Sequence, residues 1–209
     1  MKPILYPLLA DYCASLPDEF HQISDERKST LRQLGDYIKD TRRQERPVLL
    51  MVICTHNSRR SHLGQVWLQI AATYYGIGRV QTYSGGTEAT AFHPNAVACL
   101  RRIGFAIRAT TEGPNPVYAV TASEDLLVGQ AYSKRFDDPA NPSDCFGAIM
   151  VCTDADQRCP VLLGAEKRFS VPYEDPKTYD NTSEKARQYD YCCRQIAREM
   201  FYAMEHVRG

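Results

Sequence analysis

Residues 47–54, PVLLMVIC, constrain the fold more than any other stretch. A proline opens an unbroken apolar run rich in Val, Leu and Ile, with no polar residue alternating. Such a run reads as a strand buried on both faces, which belongs in a parallel sheet covered by helices. The neighbouring segments agree. SHLGQVWLQIAATYYG, residues 61–76, reads as a helix stopped by Gly76 and Gly78. RVQTYS, 79–84, reads as a second strand ended by Gly85 and Gly86, and HPNAVACLRRIG, 93–104, as a helix with Pro94 in its first turn. GAIMVC, 147–152, is a third buried strand, RFSVPY, 168–173, a short fourth, and residues 181–207 a long closing helix. Alternating strands and helices predict an α/β fold whose ligands bind at the carboxyl ends of the strands. The first and third strands both end in cysteine, Cys54 and Cys152, so as neighbours they would place two sulfurs at that crevice.

Two regions stand outside this pattern. Residues 3–16 and 24–40 read as helices, the second with Ser24 as N-cap and Ile23, Leu31, Leu34 and Ile38 near one face. The charged run 39–46 reads as a connector, which makes residues 1–46 an N-terminal helical extension to a domain spanning 47–209. Within that domain, residues 109–145 carry Gly113, Pro114, Pro116, Pro139 and Pro142 and read as a partly structured insertion.

Lys plus Arg and Asp plus Glu each number 25, for a formal net charge of zero. A nucleic-acid binder would show a basic excess, so no such partner is expected. The opening MKPILYPLLADYC is interrupted by Pro7 and Asp11, which argues against a secretory signal. No run approaches the ~20 apolar residues that span a bilayer. The expectation is a cytoplasmic chain with no membrane partner. Cysteines are Cys13, Cys54, Cys99, Cys145, Cys152, Cys159, Cys192 and Cys193. Without an export signal, a disulfide framework is disfavoured. No CxxC pair occurs, so no metal site is expected. Cys99 and Trp67 read as core, and only one of Cys192 and Cys193 should face inward.

The chemistry concentrates in CTHNSRRS, residues 54–61, between the buried strand and the helix. A loop there can curl so that the N–H groups of Thr55, His56, Asn57, Ser58, Arg59 and Arg60 surround a tetrahedral oxyanion, with the helix dipole adding to the field. Arg60 can grip two oxygens as a planar fork. Cys54 sits among these donors, which favour its thiolate as nucleophile. Ser61 can donate to that sulfur when it leaves, and Asn57 tolerates a left-handed backbone.

With these residues the chain resembles the low-molecular-weight protein tyrosine phosphatase superfamily, over about residues 47–107 and 146–207. YSGGTE at 83–88, HPNA at 93–96 and the Asp175–Pro176 pair are further points of resemblance. The resemblance implies a three-layer fold with a four-stranded parallel sheet of order 2-1-3-4, and Asp175 as general acid; alone, Asp175 reads more readily as an ordinary Asp-Pro turn. MVCTDADQRCP, 150–160, looks like the redox segment of the thioredoxin-coupled arsenate reductases, which share that fold. That branch implies a relay in which Cys54 attacks arsenate, Cys152 attacks Cys54, and Cys159 attacks Cys152 to leave a disulfide for thioredoxin. The bland alternative packs Cys152 in the core and leaves Cys159 a surface thiol. Departures are Arg59 where both branches commonly carry cysteine and His56 in place of a frequent glycine. Some of these reductases hold potassium beside the loop; Asn57 and Ser84 match that site, but Gln65 replaces its glutamate, so the cation is not assigned.

The expected activity is therefore reduction of arsenate to arsenite with thioredoxin as external reductant and no tightly bound cofactor. The alternative is hydrolysis of phosphotyrosine or another phosphomonoester through a Cys54 phosphocysteine. A third reading is a non-enzymatic oxyanion-binding or thiol-sensing module, which the set Cys54, Arg60, Ser61 and Asp175 argues against.

Overall fold

A computed structural model describes residues 4–158 and 162–209, with only the backbone of Gln157 and Arg158. Cys159, the third member of the expected relay, lies outside the described residues.

The predicted buried strand is β1 (Val48–Cys54), six of whose seven residues are buried. It lies at the centre of a four-stranded parallel sheet, paired on one side with β2 (Val80–Gly86). Three further strands form a separate sheet: β3 (Ala106–Ala109), β4 (Tyr118–Thr121) and β5 (Leu127–Ala131). On its other side β1 pairs with β6 (Phe146–Met150), which pairs in turn with β7 (Ala165–Ser170). The main-sheet order is β2-β1-β6-β7, so in order of appearance within that sheet the strands run 2-1-3-4. Helices flank it: α1 (Pro7–Ser15), α2 (Asp25–Arg43), α3 (Arg60–Tyr74), α4 (Pro94–Ile103), the short α5 (Thr153–Arg158) and the long α6 (Lys185–Arg208). Among the described residues no helix is long and apolar enough to cross a membrane.

Several predicted boundaries move. The helix expected over 24–40 runs through Arg43, because the charged run read as a connector is compatible with helix and puts Arg42 and Arg43 at the negative end of its dipole. Ser24 caps it as expected, accepting from the Arg27 amide at 3.3 Å. The fourth strand lies at Ala165–Ser170 rather than 168–173: its exposed charged residues hid its start, and the segment through Pro172 follows it outside the strand. The third strand ends at Met150, so Cys152 stands two residues beyond it, where α5 begins. The region read as an insertion holds β3, β4 and β5, an antiparallel sheet already begun at Ala106.

The N-terminal segment packs on α6. Glu19 receives Arg194 and Arg198, and Tyr12 stacks on Trp67 with centroids 5.3 Å apart. Trp67 and Cys99 are core, as expected. Cys192 and Cys193 correct the expectation, because both are buried. The sulfur of Cys193 accepts the Trp67 indole N–H at 3.1 Å, while Cys192 donates toward Glu174 O at 3.7 Å. α6 is covered over an arc wide enough to enclose adjacent positions.

Candidate active site

β1 delivers Cys54 to the edge of the sheet, and α3 starts six residues later at Arg60. The intervening turn is tight. Asn57 adopts φ 44°, the left-handed region that asparagine tolerates better than most residues. Its side chain is pinned at both ends: Oδ1 accepts from the Lys134 amide (2.8 Å), and Nδ2 donates to Ser61 Oγ (2.8 Å). With that lone pair used, the single hydroxyl proton of Ser61 is free for Cys54 Sγ, 3.1 Å away. Ser61 and Asn57 are fully buried and Cys54 is nearly so.

Neighbours hold the loop by its carbonyls. Glu88 N–H and Thr87 Oγ1–H donate to Thr55 O, Ser133 and Thr90 hydroxyls to His56 O, and His93 N–H to Ser58 O. Ser58 Oγ donates to Ala91 O. Among the described residues, the N–H groups of His56, Asn57, Ser58 and Arg59 have no partner within the chain. Gly86 permits this closeness: a Cβ there would fall 2.4 Å from Glu88 O and 2.7 Å from both Asn57 N and Thr55 O.

Arg60 and Asp175 come together from opposite ends of the sequence. Arg60 Nη1 donates to Tyr173 O (2.8 Å) and Nη2 to Asp175 Oδ2 (2.5 Å), while its buried Nε finds no acceptor among the described residues. The other Asp175 oxygen accepts from the Lys177 amide, capping the turn Pro176–Tyr179. A cavity of about 320 Å³ opens beside Asp175, lined by Tyr173, Pro176, Tyr179, Tyr191 and Cys192.

Arg59 takes another direction. Its Nε donates to the Tyr189 hydroxyl and its Nη2 to Asp180, both at 2.5 Å. Asp180 also accepts from Tyr189 and Asn95, and His93 lies 3.6 Å from it. The Asp180 carboxyl is held below its ordinary range; burial opposes this, and hydrogen bonds from Tyr189, Asn95 and Arg59 prevail. The side chain of Arg59 is thus committed to this cluster, leaving its backbone N–H for the loop.

Cys152 is buried, with Sγ 3.4 Å from the hydroxyl of Thr55, the residue next to Cys54. The same sulfur accepts from the Ala155 amide at 3.4 Å in the first turn of α5. His56 is 40% exposed on its side chain and faces Glu88 at 3.5 Å. His62 is fully buried against Phe92, and burial together with the charge of Lys134 pushes its pKa down to about 3.

The residues that match a potassium site carry other hydrogen bonds, while the buried Gln65 Oε1 has no partner among the described residues. Asn57 Oδ1 is occupied by the Lys134 amide, Ser84 Oγ lies 3.3 Å from His62 Nδ1, and Gln65 Nε2 donates to Thr82 O. The buried Lys134, close enough to act on His62, supplies a positive charge that disfavours a second cation. Sequence reasoning missed Lys134, Asp180 and Tyr189, which sit in segments without a motif, and gave no role to Tyr173 beside the Asp175–Pro176 pair; Asp180, five residues past Asp175, carried no signal of its own.

No protein-family profile matches the chain. It is similar in sequence to a Bacillus subtilis protein named arsenate reductase, 27% identical over 137 residues, covering 66% of this chain and 80% of that protein. A Staphylococcus epidermidis protein named arsenate reductase 2 is 28% identical over 125 residues, 59% of this chain and 75% of that one. In fold it is similar to a low-molecular-weight protein tyrosine phosphatase from T. tengcongensis, with a TM-score of 0.51, 14% identity, and 76% and 98% of the two chains covered. The chain is therefore similar in sequence to proteins named arsenate reductase and shares the fold of a low-molecular-weight protein tyrosine phosphatase.

Proposed function

We propose that this chain is an enzyme that reduces arsenate to arsenite with Cys54, Cys152 and Cys159, and that thioredoxin restores it. The observation that carries the reading is the Cys152 sulfur 3.4 Å from the Thr55 hydroxyl, against the residue next to the nucleophile. Phosphate-ester hydrolysis needs no thiol there.

In this reading arsenate lies among the loop N–H groups, and its oxygens draw the Arg60 fork away from Asp175. With the fork turned to the substrate, the Asp175 carboxyl is freed and can give a proton to the departing oxygen. The Cys54 thiolate attacks arsenic, water leaves, and a sulfur–arsenic bond forms. Cys152 thiolate then attacks Cys54 Sγ. The sulfur–arsenic bond breaks with its electron pair passing to arsenic, so As(V) becomes As(III), arsenite departs and a Cys54–Cys152 disulfide remains. Cys159 attacks Cys152 and frees Cys54, and the thioredoxin dithiol reduces the resulting Cys152–Cys159 bond.

A second reading, hydrolysis of aryl phosphates through a Cys54 phosphocysteine, is favoured by the Asp175–Arg60 contact and the cavity beside it. A side-by-side assay separates the two. The wild type should consume arsenate in multiple turnovers with thioredoxin, thioredoxin reductase and NADPH. Cys152→Ser should stop that turnover and leave aryl phosphate hydrolysis within about twofold, since a phosphatase cycle needs only the loop and the acid. Undiminished arsenate turnover in Cys152→Ser would remove the relay; aryl phosphate hydrolysis alone would favour the phosphatase.

A further inference from the structure

The N-terminal helix α2 reaches the segment that carries Asp175. Arg27, in the first turn of α2, donates Nη2–H to Pro172 O at 2.7 Å. Its Nε lies 3.6 Å from Glu199 Oε2, and its guanidinium carbon 5.4 Å from the centroid of the Tyr173 ring. The Tyr173 hydroxyl donates to that same Glu199 oxygen at 2.8 Å, and Gln195 donates to the other at 3.3 Å. The carbonyl of Tyr173 meanwhile accepts from Arg60, which also holds Asp175. An unbroken set of contacts thus runs from the N-terminal segment to the acid and the arginine of the site.

The placement of Arg27 is costly unless it serves this contact. A cation in the first turn of a helix is opposed by the dipole. Glu199 is buried, its carboxyl raised above the ordinary range by burial, with Arg27 and Tyr173 pulling the other way. Pro172 has no N–H, so its carbonyl is its one handle, and Arg27 takes it.

We propose that Arg27 is a positioning residue: through Pro172 and the Tyr173–Glu199 pair it fixes residues 172–175 and so aims Asp175 at the Cys54 loop. This rests on Asp175 as proton donor. Proton donation matters most when the leaving oxygen is basic, so two esters report on it. Arg27→Met should lower kcat/KM for phenyl phosphate by about tenfold or more, the scale expected when a catalytic group is slightly misplaced. It should leave dinitrophenyl phosphate, whose leaving group needs no proton, within about twofold. Arg27→Met leaves Glu199 buried without its cation, so the double variant Arg27→Met/Glu199→Gln serves as the folding control and should keep the same selectivity. Asp175→Asn should show that selectivity in full. Equal loss on both esters, or none on either, with Asp175→Asn selective, would overturn the role of Arg27 alone. An unselective Asp175→Asn in an active wild type would remove the reading of Asp175 beneath it; in a wild type that hydrolyses neither ester, single-turnover arsenite formation undiminished in Arg27→Met would overturn the role of Arg27.

Discussion

The Cys54 loop and the segment starting at Cys152 meet through Thr55, yet they are held in opposite ways. The loop carbonyls of Thr55, His56 and Ser58 are bonded to two other stretches of chain, 87–93 and Ser133, and Asn57 is fixed at both ends of its amide. The segment after Cys152 is a six-residue helix held mainly by Cys152 Sγ at its start and by Asp156, which bonds to Arg168 and Ser170. A site that stabilises charge on an oxyanion must be preorganised, because reorientation during the reaction would cost what the donors supply. A segment that exchanges disulfides must move. Seven helical steps separate two Cα atoms by ~10.5 Å, whereas a disulfide needs about 4.4–6.8 Å. If the proposed Cys152–Cys159 bond forms, α5 is expected to unwind.

The largest test of this contrast removes the nucleophile. Cys54→Ser should lower arsenate and aryl phosphate turnover by more than about 10⁴-fold, as loss of a nucleophile does elsewhere. Phosphate binding by calorimetry should persist, since the loop donors remain; comparable turnover would remove Cys54 from the chemistry.

Next comes the rigidity of the loop. Asn57→Ala leaves the Lys134 amide without its acceptor and places alanine at φ 44°. Urea titration should show a loss of about 2–3 kcal/mol, and turnover should fall about 10²-fold. Asn57→Gly, which tolerates that φ, should regain part of the stability and little of the activity. Full activity in Asn57→Gly would mean that the side-chain bonds do not matter.

The buried base of the loop also gives a pH signature. His62 is held neutral, with a pKa near 3 against about 6.5 unfolded. The unfolded chain binds its proton first, so the stability from neutral His62 is present above about pH 6.5 and is lost as pH falls toward 3. The loss should reach on the order of 4–5 kcal/mol at the bottom of that window. His62→Gln should flatten the slope between those limits, and an unchanged slope would place the titration elsewhere.

The smallest effect belongs to the other region. Asp156 and Arg168 are each about a quarter exposed, so Asp156→Ala should change global stability by less than about 1 kcal/mol. It should nonetheless speed amide hydrogen exchange in residues 153–158. Unchanged exchange there would show that α5 does not depend on this tether.

The same contrast explains what could be read from the sequence. The loop was legible because its requirements are local: a strand buried on both faces, cysteine at its end, a residue suited to left-handed backbone, and arginine opening a helix. The sheet order followed from the resemblance those residues carry. Lys134 and Tyr173 were not legible, because their roles depend on chain segments far from the loop in sequence. The short strands at Ala106–Ala109 and Tyr118–Thr121 carry too few residues to show alternation. The direction of the Arg59 side chain stayed open for a related reason: adjacent arginines look equivalent in sequence, and only Asp180 and Tyr189 reveal which one turns away. For Cys192 and Cys193, helical periodicity predicted one inward face, and packing from two sides buried both.

The most direct test of the central claim follows the thiols themselves. Reduced protein is mixed with one equivalent of arsenate without thioredoxin, alkylated and mapped by mass spectrometry. The account predicts one arsenite per chain, a Cys152–Cys159 disulfide, and an alkylated Cys54. No arsenite, with all three cysteines alkylated, would contradict it.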